Sequence, residues 1–199
     1  MTHTMRLSEL SMNDDDENAR LSDTELMRLV AAGDEGAFRL IVEHNIGGMM
    51  RFATNMTGAD MAEDMVQQAF TQAWKAAGRW KPKAKLSTWL YTVLRNECLQ
   101  YLRKSKPDIR LVSSEDVVLT DRGALPDQKL VELDDNAALD AAIEKLPERQ
   151  RTALLLRYGE DLSQREAACV MGIKEKAFES LLSRGKSRLK HLITDKNDE

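Results

Sequence analysis

The chain has 199 residues, 42% hydrophobic and 31% charged, with a formal net charge of −4. That suits one ordinary domain or two small ones, with apolar residues enough for a core and charge enough for solubility. Its composition and spacing exclude three classes. No apolar run is long enough to span a bilayer and no basic-then-apolar leader opens the chain. Cys98 and Cys169 lie far apart and form no disulfide framework or metal box. His3, His44 and His191 are dispersed, so no metal site, catalytic base or cofactor is indicated. Both cysteines are expected as small buried residues, in a chain suited to a reducing cytoplasm.

Residues 1–21 read as a disordered acidic tail, with Asp14, Asp15, Asp16 and Glu17 in a row. Order is expected from Ser22, which with Glu25 forms a capping-box pattern before Leu26, Leu29 and Val30. Gly33 and Asp34 break that helix. A second helix carries Phe38, Leu40, Ile41 and Val42 through Gly47 and Gly48 to Met56, and Thr57 and Gly58 stop it. Asp60 with Glu63 suggests the next N-cap. Met61, Met65, Ala69 and Ala73 then make a stripe at helical spacing, flanked by Val66, Phe70 and Trp74. Gly78 ends this helix, and Pro82 holds Trp80 to Leu86 in a loop. Ser87 or Thr88 is placed to cap the helix of Trp89, Val93, Leu94 and Leu102. Pro107 terminates it.

Residues 107–135 lack amphipathic period, contain Pro107, Gly123 and Pro126, and read as a flexible linker. The second domain is expected over 136–194, with a short tail at 195–199. Leu139, Ala142, Ile143 and Leu146 form one helical face. Pro147 suits the first turn of the next helix, which runs to Tyr158 and ends at Gly159. Ser163 and Glu166 repeat the capping box, opening a short helix closed by Met171 and Gly172. A last helix runs from about Lys174 to Leu192. Short helix, glycine turn and longer basic helix match a helix-turn-helix. The fold class is therefore all-α: two small helical domains joined by a flexible acidic linker, free to move relative to each other.

The charge is unevenly distributed. Residues 71–110 carry a balance of +8 and residues 174–190 one of +4, whereas residues 1–25 carry −5 and residues 105–135 carry −4. Two basic segments set apart by acidic ones suggest two footprints on one polyanion. The first is a loop of Trp80, Lys81, Lys83 and Lys85. Cations that track a backbone, with an aromatic face beside them, suit single-stranded nucleic acid. Trp80 fits either the core edge or a platform for a base, whereas Trp74 and Trp89 are expected to be core. The second footprint is the outward face of the last helix, with Lys174, Lys176, Glu179, Ser180, Ser183, Arg184 and Lys186, side chains suited to major-groove edges and phosphates. Gly185-Lys186-Ser187 mimics the end of a phosphate loop, but Ser180 stands where the first glycine is required.

The run Asp60-Met-Ala-Glu-Asp-Met-Val-Gln-Gln-Ala-Phe70, with Ala73-Trp74, Trp80-Lys-Pro-Lys83, Thr88-Trp89-Leu-Tyr91, Arg95-Asn96 and Tyr101-Leu-Arg-Lys104, resembles the first conserved domain of bacterial sigma factors of the extracytoplasmic-function subgroup. Leu146-Pro-Glu-Arg-Gln150, Leu154-Leu-Leu-Arg-Tyr158, Met171-Gly-Ile173 and Ser180-Leu-Leu-Ser-Arg184 resemble the second, the module that binds duplex DNA at the upstream promoter element. The likeness spans residues 23–106 and 137–192.

The resemblance implies roles. Asp64, Gln67 and Gln68 would contact the clamp coiled coil of core RNA polymerase. The Trp80 loop and Asn96 would grip a base flipped from the downstream promoter element, an extrusion that costs a few kcal/mol and is repaid in a pocket. Arg95, Arg103 and Lys104 would contact phosphates. The second domain would meet the polymerase flap and promoter DNA. An anti-sigma factor is implied as a further partner, the free chain being monomeric, cytoplasmic and not an enzyme. The family commonly has a small capping residue at Lys174 and basic residues at Glu179 and Leu181, so base preference does not carry over. The alternative is a helix-turn-helix regulator of duplex DNA, usually a dimer, with no use for the lysine-aromatic loop.

Overall fold

The computed structural model describes residues 21–105, 136–160 and 162–194. The expected tail, most of it, and the expected linker lie outside these residues. Helix α1 (Asp23–Ala31) begins at the Ser22 box: Ser22 Oγ accepts the Glu25 N–H at 3.3 Å, and Glu25 Oε2 accepts the Ser22 N–H at 2.9 Å. Asp34 caps α2 (Glu35–Thr57) by accepting the Ala37 N–H at 3.0 Å. Gly58, with φ of +90°, both ends α2 and precedes α3 (Ala59–Ala76), so no side chain caps α3. Asp60 is thus not an N-cap; it lies in the first turn of α3, where a negative charge suits the helix dipole.

Ala62, Met65, Val66, Ala69, Phe70 and Ala73 form the buried face of α3. They recur at the three- and four-residue spacing of one helical stripe. Met61 is only partly buried. A 3-10 turn (Ala77–Arg79) leads into the lysine loop and then α4 (Leu86–Ser105). Neither Ser87 nor Thr88 caps α4. The helix already starts at Leu86, ahead of both, and the Leu86 N–H is accepted by Asp23 Oδ2 of α1 at 2.7 Å, with Thr88 buried inside the helix. A cap drawn from 63 residues away satisfies the same orphan donor as a local one. Helices α2, α3 and α4 pack on one another, and α1 lies against α2 and the 3-10 turn. Phe52 meets Tyr91 edge-to-face at 5.8 Å, and Phe38 meets Trp74 likewise at 5.0 Å.

The C-terminal half comprises α5 (Asn136–Glu144), α6 (Glu148–Leu154), α7 (Gln164–Met171) and α8 (Glu175–Thr194). Pro147 precedes α6 rather than opening its first turn, and α6 ends in a π-turn over Leu155–Gly159. The second box forms as expected, Ser163 Oγ accepting the Glu166 N–H and Glu166 Oε2 the Ser163 N–H. Gly172 closes α7 in the left-handed conformation. Phe178, Leu181, Leu182, Gly185 and Leu189 face inward from α8. A Cβ on Gly185 would meet Leu154 at 3.2 Å, so this glycine is where α6 and α8 close upon each other. The phosphate-loop mimicry at this position is helix packing.

One cysteine expectation is corrected. Cys98 is buried, and burial pushes its thiol up to about 12, but Cys169 is exposed on α7. The expectation of freely moving domains meets a packed seam: α7 lies on α4, and the π-turn, α5 and α6 lie on α2. Thr152, fully buried there, donates to Glu148 Oε1 at 3.1 Å and contacts Met56 Sδ at 3.5 Å.

Candidate nucleic-acid interface

The acidic face of α3 comes first in the chain. Asp64, Gln67 and Gln68 are all exposed because the buried stripe occupies the opposite side. Gln67 borders a shallow apolar groove with Phe38, Ile46, Met50, Val66, Phe70 and Trp74. Trp74 is 36% exposed, a groove wall rather than the core residue expected. Trp89 is partly buried against the core.

In the basic loop, Lys81, Lys83 and Lys85 are exposed, while Trp80 is half-buried and packs against the core. The loop is held at its start by the Trp80 N–H on the Ala77 carbonyl at 3.3 Å. Asn96 is exposed on α4, ten residues past Leu86 and so about 15 Å along the helix axis. A ligand touching both the loop and Asn96 must therefore be extended. Arg103 and Lys104 are exposed near the end of α4.

Lys85 and Arg95 behave differently from the other cations. Lys85 Nζ lies 3.0 Å from Glu166 Oε1 of α7. Arg95 Nη2 lies 3.9 Å from Glu148 Oε1 of α6, with only 15% of its side chain exposed. Burial pulls the Arg95 guanidinium below its usual value, and Glu148 opposes that shift. Its Nε is buried with no hydrogen-bond partner. Both residues belong to the single-strand group expected from sequence, and both meet acids of the other half.

On α8, Lys176, Glu179, Ser180 and Ser183 are exposed, as is Lys174 just before the helix. Arg184 and Lys186 are half-buried. Arg184 Nε donates to the Ser180 carbonyl at 3.1 Å, Gln164 donates to Glu179 Oε1 at 2.7 Å, and Lys186 sits 5.1 Å from the Tyr158 ring. Leu181 faces the core, so a side chain at that position is turned away from any ligand on the outer face. The helix-turn-helix thus presents one continuous polar face, rooted on Ala167, Val170, Phe178 and Leu182, with Ile173 partly buried beside them.

Sequence reasoning missed a further cluster. Glu160, beyond the π-turn, accepts a hydrogen bond from the Tyr91 hydroxyl of α4, and its Oε2 lies 3.6 Å from Arg51 of α2. Arg51 also donates to the Gly159 carbonyl at 3.3 Å. Gly48 makes the space, since a Cβ there would overlap both the Glu160 carboxylate and the Tyr91 hydroxyl. The available signal was the glycine pair inside a helical pattern, which lowers helix propensity and marks a close approach. Among the described residues no group of His, Cys, Asp or Glu could hold a metal ion, and no helix is long and apolar enough to cross a membrane.

Family comparison agrees with this arrangement of two halves. Residues 41–107 match the Sigma-70 region 2 family and residues 136–189 match Sigma-70, region 4. The chain is 31% identical to the ECF RNA polymerase sigma factor SigM of Bacillus subtilis over 76% of its own length and 92% of the relative's. It is 33% identical to the RNA polymerase sigma-H factor of Pseudomonas aeruginosa, over 75% and 82%. Among solved structures, the sigma factor RpoE of Bartonella quintana, in complex with the anti-sigma factor NepR, is similar with a TM-score of 0.62 and 27% identity, covering 79% of this chain and 96% of that one.

Proposed function

The chain belongs to the sigma-70 family of RNA polymerase sigma factors, in the extracytoplasmic-function group, and from that premise we propose that residues 22–106 and 136–194 divide promoter recognition between them. As a sigma factor the chain is an initiation factor and not an enzyme. It binds core RNA polymerase through Asp64, Gln67 and Gln68 on the clamp coiled coil, and through its C-terminal half on the flap. The α8 face carries duplex binding at the upstream element. The Trp80 loop, with Lys81, Lys83, Lys85, Arg95, Asn96, Arg103 and Lys104, holds the melted strand of the downstream element. The observation that carries the reading is the occurrence of both family regions in order, each with an exposed basic face. Stacking on aromatics and cations along a groove are the physical means by which an unpaired strand is held. A cytoplasmic chain, monomeric when free, with an anti-sigma factor as its regulator, completes the proposal; the RpoE relative was solved in such a complex.

The test is promoter opening. Trp80→Ala together with Asn96→Ala leaves association with core polymerase nearly intact but lowers open-complex formation. Permanganate footprinting of unpaired thymines reads this directly. A promoter pre-melted at the downstream element should partly restore activity. Opening at the parental rate by the double variant would remove the single-strand role from this loop.

A further inference from the structure

The outward face of α8 carries Lys176, Glu179, Ser180, Ser183 and Arg184, at the three- and four-residue spacing of one stripe. All but the half-buried Arg184 are exposed. One acid stands there among cations and hydroxyls. The phosphates of a duplex repel it, so it weakens binding to every sequence unless a base offsets the cost. Few bases can. A carboxylate only accepts hydrogen bonds. In the major groove guanine presents acceptors at O6 and N7, and thymine an acceptor at O4 beside a methyl group, so both are refused. The donors there are the N4 amine of cytosine and the N6 amine of adenine. Adenine sets an N7 acceptor beside its amine, which suits an amide that both donates and accepts, and opposes a carboxylate. Cytosine presents its amine alone.

Glu179 is also held in place. Gln164 Nε2 donates to Glu179 Oε1 at 2.7 Å. Gln164 is half-buried and is the first residue of α7, so the Ser163 capping box sets its position. Helix α7 in turn packs on α8. The bond engages one carboxylate oxygen and fixes the plane of the group, while the second oxygen can take a base amine. A side chain already held loses less freedom on binding than a mobile one. The α7 contact therefore makes a fixed acceptor out of a flexible charge on the reading face.

We propose that Glu179 is a specificity-determining residue and Gln164 its positioning residue: together they select duplexes with cytosine at one position of the upstream element and reject guanine and thymine there. This rests on the duplex reading of α8 given above. A basic side chain at residue 179, as the resemblance to the family implies, suits guanine; this chain places the opposite charge at that point.

The test uses the full chain with core RNA polymerase and a promoter-fragment library randomised in both elements, the bound sequences being compared with the input. The parent should enrich cytosine over guanine about fivefold or more at one upstream position. Glu179→Gln should move the preference at that position to adenine and Glu179→Arg to guanine, with the other positions unchanged. Gln164→Ala should keep cytosine preferred but lower its enrichment about threefold. It should change nothing further once Glu179 is alanine. A merely structural role for Gln164 would lower enrichment at every upstream position alike and overturn its positioning role, as would parental enrichment in Gln164→Ala. Glu179 variants that shift no position, or that shift one where the parent does not prefer cytosine, overturn the proposal. Arg184→Ala separates this from the broader reading. If it shifts an upstream preference while the Glu179 variants shift none, the Glu179 assignment alone falls. If it too shifts none, α8 is not the duplex reader and both fall together.

Discussion

Ser22 with Glu25 closes a reciprocal capping box at the start of α1, and Ser163 with Glu166 closes the same box at the start of α7. The two motifs are alike in sequence, and each spends one carboxylate on local backbone. They differ in what lies beyond. The first box faces solvent, and its neighbour Asp23 reaches α4 of its own half. In the second Ser163 is exposed too, but Glu166 also reaches the other half, where it pairs with Lys85. The N-terminal half therefore has a self-contained cap system, and the C-terminal half uses its cap as part of the seam. One local signal takes on a second role when packing brings a cation to it.

The largest test of this contrast concerns whether the halves unfold as one unit. Phe52 and Phe178 are fully buried, one in each half. Truncating either to alanine should cost about 3–5 kcal/mol. If the seam couples the halves, each variant lowers a single denaturation midpoint seen by fluorescence and circular dichroism alike. Two separate transitions, only one of them moved by each substitution, would show that the halves are independent.

A middle-sized effect separates the two DNA-facing surfaces. Arg184→Ala should weaken duplex binding by roughly 1–3 kcal/mol where it meets a base edge. The parental affinity should fall steeply with salt, because the α8 face displaces counterions. The same substitution should leave oligothymidine binding unchanged. Full duplex affinity in the variant, or affinity indifferent to salt, would remove α8 from the contact.

The smallest effects lie in the boxes themselves. Ser22→Ala and Ser163→Ala should each cost about 1 kcal/mol by chemical denaturation, the second somewhat more because it frees Glu166 from the geometry that serves Lys85. The Glu166 carboxyl lies below its ordinary 4.5 because of the Ser163 hydrogen bond first and Lys85 after it; Glu25 lies below 4.5 through Ser22. A folded pKa held below the unfolded one contributes stability above pH 4.5 that fades as pH falls through the folded value. Below about pH 4.5 the parent should thus lose stability faster than Ser163→Ala, and parallel pH profiles would contradict the assignment.

The sequence by itself determined the helices, both boxes, the glycine stops at Gly33, Gly58 and Gly172, and the polar face of α8. Each is set by residues within a turn or two, so periodicity and capping chemistry expose it. The outward positions of Asp64, Gln67 and Gln68 followed from the opposite stripe for the same reason. Tertiary structure alone decided what depends on residues far apart in the chain. Asp23 rather than Ser87 or Thr88 serves the start of α4, because an orphan N–H takes whichever acceptor packing delivers. Trp74 lines an open groove rather than the core. Lys85 and Arg95 each meet an acid of the other half, a pairing invisible in a run of basic residues. The Gly48 notch acquires meaning only when Glu160, more than a hundred residues later, comes to fill it.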